Sequence, residues 1–392
     1  MSYLLNGKTI KDGGKMMELS SSRPAWIEID LDALENNYNI IRKKIPDSSK
    51  IAAVVKADAY GHGAVKIAEE LEKLGADYFC VGSPDEGMEL RKAGIKKDII
   101  VLAEVLETQY QDILEGNLIQ TVASFETLTG LNKIAAEFNK TIRIHLKIDS
   151  GMGRIGFLNS DIKRLINKLK NLKQLKVEGI FSHFARADEA NKSYSYKQLS
   201  KFNKVLAEFE KSNFEIELKH IANSAAVIDL ETSYLDLVRP GIMLYGLKPS
   251  KELNNEVDLK SILSFKTKVV QIRNLEQDTA ISYGSIYKTD SKEKVAVLPV
   301  GYKDGYPRLL SNKGEVLING KRAPIRGRIC MGQIIVSIED IENVEIGDEV
   351  VLIGRQSDDQ ILASEIAELA STINYEIVCN LDRNLERVYL KN

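Results

Sequence analysis

Between residues 50 and 245 the chain repeats one pattern: a short apolar run, then a longer stretch whose apolar residues recur at helical spacing. The runs are centred on 51–56, 78–82, 98–103, 119–123, 143–148, 177–183, 217–222 and 237–245. Stretches such as 63–74 and 196–211 read as the intervening helices. Upstream, Trp26-Ile-Glu-Ile-Asp-Leu alternates like a strand. Leu34, Tyr38, Ile41 and Ile45 then mark a helix that Asp32 and Glu35 open as a capping box. Strands separated by helices pair in parallel through right-handed crossovers, and this many in one stretch predicts an α/β fold closed as a (β/α)8 barrel. No G-x-G-x-x-G follows the first run, which argues against an open dinucleotide-binding sheet.

Beyond residue 260 the helical stretches disappear. Runs at 263–273, 279–283, 294–300, 315–319, 334–338 and 348–353 read as strands punctuated by turns such as Asn319-Gly320, with one helix near 362–373. The predicted organisation is a loosely ordered polar leader over 1–22, a barrel over 23–260 and a mostly β domain over 261–392.

Composition narrows the function. The 392 residues carry a net charge of -2 and no basic block, which disfavours an electrostatically held nucleic acid. The cysteines, Cys80, Cys330 and Cys379, are an odd number without metal-ligand spacing, so no metal is expected and a reducing, cytoplasmic setting is. No apolar run approaches the roughly 20 residues of a membrane span.

Barrel chemistry gathers where strands end, which directs attention to Lys56, Asp149-Ser-Gly-Met-Gly-Arg154, His183, Asn223-Ser224 and Arg239-Pro-Gly-Ile242. Lys56 closes an apolar run, where burial can lower an ammonium's pKa and make it a carbonyl nucleophile. A lysine that marks a strand end and reaches water is equally compatible with the run. Ser224, Gly241 and Ile242 occupy the barrel's usual phosphate position, and Ser224 alone also suits a helix N-cap. Arg239 by itself reads as a rim ion pair.

Together these features resemble the fold-type III pyridoxal-phosphate enzymes, and the motifs resemble the alanine racemase family in particular. The resemblance rests on Val55-Lys-Ala-Asp-Ala-Tyr-Gly-His-Gly63, Lys147-Ile-Asp-Ser-Gly-Met-Gly-Arg154, His183-Phe, Asn223-Ser-Ala, Arg239-Pro-Gly-Ile-Met-Leu-Tyr-Gly246, Ser282-Tyr-Gly284 and Ile373-Asn-Tyr-Glu376. It implies pyridoxal 5'-phosphate as cofactor, held by Lys56, and racemisation of alanine. D-alanine would then feed peptidoglycan precursors. Lys56 would serve one face of the substrate and Tyr283 the other, since racemisation removes a proton on one side and returns it on the other.

A phenol needs nearby positive charge or a proton relay to act as a base near neutrality, and His183 beside Arg239 could supply both. The resemblance further implies Arg239 at the pyridine nitrogen, where a fixed cation weakens the electron sink and favours proton transfer alone. It places Tyr60, Asn223, Ser224, Gly241, Ile242 and Tyr375 around the cofactor. Arg154 would reach the cofactor and the substrate carboxylate, Met331 would contact that carboxylate, and Tyr302 would line the substrate's path. Lys147 matches a lysine that some members carbamylate.

The resemblance also implies a homodimer in which one subunit's β domain, with Tyr283, completes its partner's site. The chain departs from the pattern at Cys330-Met-Gly-Gln333, where the family usually has an aspartate at the position of Gly332. A serine or broad-specificity racemase, a fold-type III decarboxylase and a non-catalytic cofactor carrier are the alternatives. The decarboxylase needs an acidic partner where Arg239 stands, and the carrier lacks a β domain with a tyrosine.

Overall fold

The computed structural model describes residues 9–12, 15–18 and 23–391. Two compact units emerge, one of residues 32–261 and one that joins the chain up to Leu31 to residues 262 onward. Most of the expected leader lies outside the described residues. Its described parts, Thr9–Asp12 and Lys15–Glu18, pair antiparallel.

In residues 32–261, eight parallel strands follow one another: β1 (Lys50–Val54), β2 (Tyr78–Val81), β3 (Asp98–Val101), β4 (Ile119–Val122), β5 (Ile142–Lys147), β6 (Leu175–Phe181), β7 (Leu218–His220) and β8 (Leu237–Val238). Each pairs with the next through β7, and β8 pairs with β1. The ring closes where Asn223 and Arg239 form a parallel bridge, the Arg239 N–H reaching the Ala222 carbonyl at 3.0 Å. Strand residues such as Ile51, Phe79, Ile100, Ile119 and Ile144 have no exposed surface, as expected of a barrel wall covered by helices.

The expected strand over 237–245 stops at Val238. Pro240 has no N–H to give a ladder, and the chain folds into successive turns in which Leu244, Tyr245 and Gly246 bond back to Gly241, Ile242 and Met243. Gly246 takes a φ of 78°, and a Cβ there would lie 1.8 Å from the Lys260 carbonyl oxygen, so only glycine fits.

In the second unit the main sheet runs Lys321–Pro324, Glu315–Ile318, Glu349–Gln356, Leu263–Lys268, Ala25–Asp30 and Glu386–Leu390, with Asp359–Ile361 attached to Glu349–Gln356. A three-stranded sheet of Gln271–Leu275, Glu293–Leu298 and Ile334–Ser337 accompanies it. Sequence reading put residues 23–31 with the barrel. Ala25–Asp30 instead lies between Leu263–Lys268 and Glu386–Leu390, antiparallel to the first and parallel to the second. A buried polar set fixes it there: the Trp26 indole N–H donates to Glu28 at 2.8 Å, and Glu28 pairs with Lys266 at 2.7 Å. Such long-range pairing leaves no local trace in an alternating strand.

Candidate active site

Lys56 stands at the barrel rim two residues after β1, half-buried, rather than on the strand itself. From there the chain turns left-handed. Ala57, Asp58, Ala59 and Tyr60 have φ between 53° and 55°, a conformation that costs a non-glycine residue about 1–2 kcal/mol. Surrounding groups impose it. The Ala59 N–H bonds to the Val55 carbonyl at 2.8 Å, and Asp58 accepts the Ala64 N–H at 2.8 Å. His62 Nδ1–H points at the carbonyls of Ala59 (2.8 Å) and Tyr60 (2.9 Å). The His62 ring stacks on Tyr245, whose hydroxyl donates to Val54 O at 2.7 Å.

The same turn carries Tyr60 to the end of β8. A Cβ on Gly241 would fall 2.5 Å from the Tyr60 hydroxyl, so the approach requires glycine. The Gly241 N–H donates to Ser224 Oγ at 2.8 Å. Ser224 is therefore not the N-cap of its helix (Ser224–Asp229); Asn223 fills that role by accepting the Ala226 N–H at 3.0 Å. The hydroxyls of Tyr60 and Ser224 thus both lie at Gly241, a grouping suited to an oxyanion.

Arg239, almost fully buried, is the hub of the rim. Its guanidinium donates to His220 Nδ1 (2.6 Å), His183 Nδ1 (3.2 Å), Ser182 O (2.9 Å) and Ile221 O (3.2 Å). An arginine can only donate, so both Nδ1 atoms must accept. The proton of His183 consequently sits on its outer nitrogen, and His220 Nε2–H donates inward to His145 Nδ1 at 2.9 Å. His145 Nε2 then points at Glu178 Oε1, 3.8 Å away, and Glu178 faces Arg143, which binds Asp98 bidentately at 2.5 and 2.7 Å.

A polar column thus runs through the barrel interior, charge-balanced when its imidazoles are neutral. A bulge makes room for it. The β5–β6 register skips Glu178, freeing its side chain to turn inward, and Gly179 lies flat beneath the His145 ring, where a Cβ would meet it at 2.7 Å. Neither His145 nor His220 belongs to a motif quoted above, yet the structure makes His220 the direct partner of Arg239.

The rim is strongly cationic. Burial first, then Arg239, Lys147, Arg154 and Lys56, hold His183 well below its ordinary pKa of 6.5. Burial followed by Arg239 brings buried Lys147 down to about 7, and burial alone brings Arg239 to about 10. Asp149 is the nearby carboxylate, and its oxygens are taken by the N–H groups of Gly151, Met152 and Gly153. Arg154 projects from that turn and is exposed. An amine at the rim, two hydroxyls beside Gly241 and several cations suit a phosphorylated carbonyl compound and a carboxylate substrate. Among the described residues no cluster suits a metal ion.

The remaining candidates belong to the β unit. Tyr283 is 69 % exposed and follows Ser282, whose φ of 61° and ψ of -173° are nearly exclusive to glycine. Ser282 Oγ donates to Arg328 O at 2.6 Å and secures this kink. Tyr302 and Met331 lie together because a Cβ on Gly301 would stand 2.2 Å from the Cys330 carbonyl oxygen; the Tyr302 N–H bonds to that oxygen at 3.1 Å. Tyr375 lies on the helix Asn374–Cys379.

Residues 29–249 match the family model of the alanine racemase N-terminal domain, and residues 262–389 that of the alanine racemase C-terminal domain. An alanine racemase of Halothermothrix orenii is 49 % identical over 94 % of this chain and 97 % of its own. Among solved structures, an alanine racemase of Clostridium difficile superposes with a TM-score of 0.91 at 39 % identity, covering 95 % of this chain and 97 % of that one. One from Bartonella henselae, with covalently bound pyridoxal phosphate, gives 0.85 at 30 % identity, covering 94 % and 99 %.

Proposed function

Because the chain belongs to the alanine racemase family, we propose how its own residues interconvert L- and D-alanine with pyridoxal 5'-phosphate. When bound, the cofactor supplies a carbonyl that condenses with an amine and a ring that spreads the electron pair left at Cα. Lys56 would hold the cofactor, and with substrate in place its amine would remove or return the proton on one face of Cα. Tyr283 of the partner subunit serves the other face, and the His183 outer N–H, oriented by Arg239, is the donor next in line behind it.

Tyr60, Ser224, Asn223, Gly241, Ile242 and Tyr375 would hold the phosphate end. With the cofactor bound, Arg239 would meet its ring nitrogen and, as a fixed cation, would disfavour protonation there, limiting reactions other than proton transfer. Arg154 and Met331 receive the substrate carboxylate, and Tyr302 lines its approach. Lys147, with a pKa near 7, is available as a neutral amine for carbamylation. The carbamate would exchange a cation crowded by Arg239 and Arg154 for an anion paired with them.

The observation that carries this reading is Arg239, locked by four partners at the mouth of the same barrel that carries Lys56. The enzyme works as a cytoplasmic homodimer that supplies D-alanine for peptidoglycan precursors. Borohydride reduction of the purified protein and peptide mapping tests the assignment. A pyridoxyl adduct is expected on the peptide containing Lys56, and racemisation of alanine should exceed that of serine in kcat/KM. An adduct elsewhere, or faster turnover of serine, overturns it.

A further inference from the structure

The residues Ser83-Pro-Asp-Glu86 open the helix Pro84–Lys92 with the capping-box signature, serine at the N-cap and glutamate three residues later. In such a box the glutamate reaches back to the N–H of its own cap. Glu86 does something else. Ser83 Oγ accepts the Glu86 N–H in the usual way at 3.4 Å. The Glu86 carboxylate, however, takes the Gly82 N–H on Oε2 at 2.6 Å and the Ala57 N–H on Oε1 at 2.8 Å.

Ala57 is the first left-handed residue after Lys56. Its N–H lies at the open N-terminal end of that single turn, whose internal bond runs from the Ala59 N–H to the Val55 carbonyl. A point 3.3 Å from Glu86 Oε2 and 3.6 Å from Lys56 Cβ is where a Cβ on Gly82 would stand, so the carboxylate and the lysine stem flank that glycine.

From this geometry we infer that Glu86 is a positioning residue for Lys56: its carboxylate caps the left-handed turn and ties it to the end of β2, fixing the direction in which the lysine leaves the backbone. The inference rests on the reading that Lys56 is the reactive amine. Glu86 is not among the hydrogen-bond partners of Arg239 or Ser224, and it makes no step of its own. Its contribution is orientation, where displacement of a reacting group by about 1 Å can cost on the order of a hundredfold in rate.

The test compares the holoenzyme with Glu86→Ala, Glu86→Gln and Ser83→Ala, the last removing the helix's ordinary cap while leaving the clamp. Amide hydrogen exchange resolved by fragmentation is read at Ala57 and Gly82, together with kcat, KM and the thermal unfolding midpoint. Exchange at both amides should quicken about tenfold or more in Glu86→Ala, and kcat should fall roughly 30- to 100-fold with KM within about threefold. Glu86→Gln keeps one acceptor oxygen and should fall between wild type and Glu86→Ala. Ser83→Ala should lower the midpoint comparably yet leave Ala57 exchange and kcat near wild type.

Equal effects of Glu86→Ala and Ser83→Ala on Ala57 exchange and on kcat would overturn the inference. Failure of the Lys56 reading is visible separately, since adduct mapping of the wild-type enzyme reports it without any Glu86 variant.

Discussion

The barrel candidates around Arg239 are gripped from several directions, whereas Tyr283, Tyr302 and Met331 of the β unit are exposed. Arg239 is nearly fully buried and has four hydrogen-bond partners. Tyr283 and Met331 are 69 % and 59 % exposed. Both proposed bases nonetheless sit on strained backbone, Lys56 before four left-handed residues and Tyr283 after Ser282 at φ 61°. Strain of this kind persists only where neighbours impose it, and it collects at functional positions. On the barrel the imposing groups also define the site's floor. On the β unit they fix the direction of an exposed tyrosine.

The contrast predicts unequal consequences for substitutions. Lys56→Ala should abolish racemisation, at least about 10³-fold, and remove the reducible adduct, because no other amine stands at the turn. Tyr283→Phe should cost roughly 10²- to 10⁴-fold in kcat, while denaturant unfolding moves by less than about 0.5 kcal/mol, as for any exposed hydroxyl. Retained full activity would remove tyrosine from the mechanism. Arg239→Ala should lower stability as well as activity. It leaves the ring nitrogens of His220 and His183 and the carbonyls of Ser182 and Ile221 without their donor, a loss of about 1–3 kcal/mol for each buried group left unsatisfied. A denaturant midpoint unchanged by this variant would contradict the column's role.

A smaller effect separates the units by pH. All four histidines, His62, His145, His183 and His220, belong to the barrel. Burial as the leading cause holds His145, His183 and His220 below 6.5 in the folded chain. Below pH 6.5 the unfolded chain therefore binds protons that the native barrel refuses, so stability falls as pH falls and is regained above 6.5. The slope should approach about 1.4 kcal/mol per pH unit for each such imidazole, and limited proteolysis at pH 5 should cut residues 32–261 before the β sheet. Cleavage first in the sheet would place the acid-sensitive groups elsewhere.

Much of this was legible in the sequence, and the rest was hidden for physical reasons. The alternation of apolar runs and amphipathic stretches revealed the barrel because both periods are local. Lys56, His183, Ser224 and Arg239 stand out as candidates because barrel chemistry collects at strand ends, and all four lie just beyond the barrel strands. Ala25–Asp30 was assigned to the wrong unit, since the identity of a strand's partner some 240 residues away leaves no mark on its own pattern. The left-handed turn was invisible because Ala-Asp-Ala-Tyr has no propensity for it; His62 and Tyr245 impose it through tertiary contacts. The bulge at Glu178 and the diverted capping glutamate Glu86 likewise look ordinary one residue at a time.

The most direct measurement of a site shared between two copies mixes two inactive proteins. Lys56→Ala and Tyr283→Phe subunits, dissociated and reassembled in equal amounts, form hybrid dimers in which one site carries both lesions and the other carries neither. Racemase activity should return to about one quarter of wild type, since half the dimers are hybrids with one intact site each. No activity above that of the parent variants would show that Lys56 and Tyr283 of a single chain serve the same substrate, and would contradict the shared site.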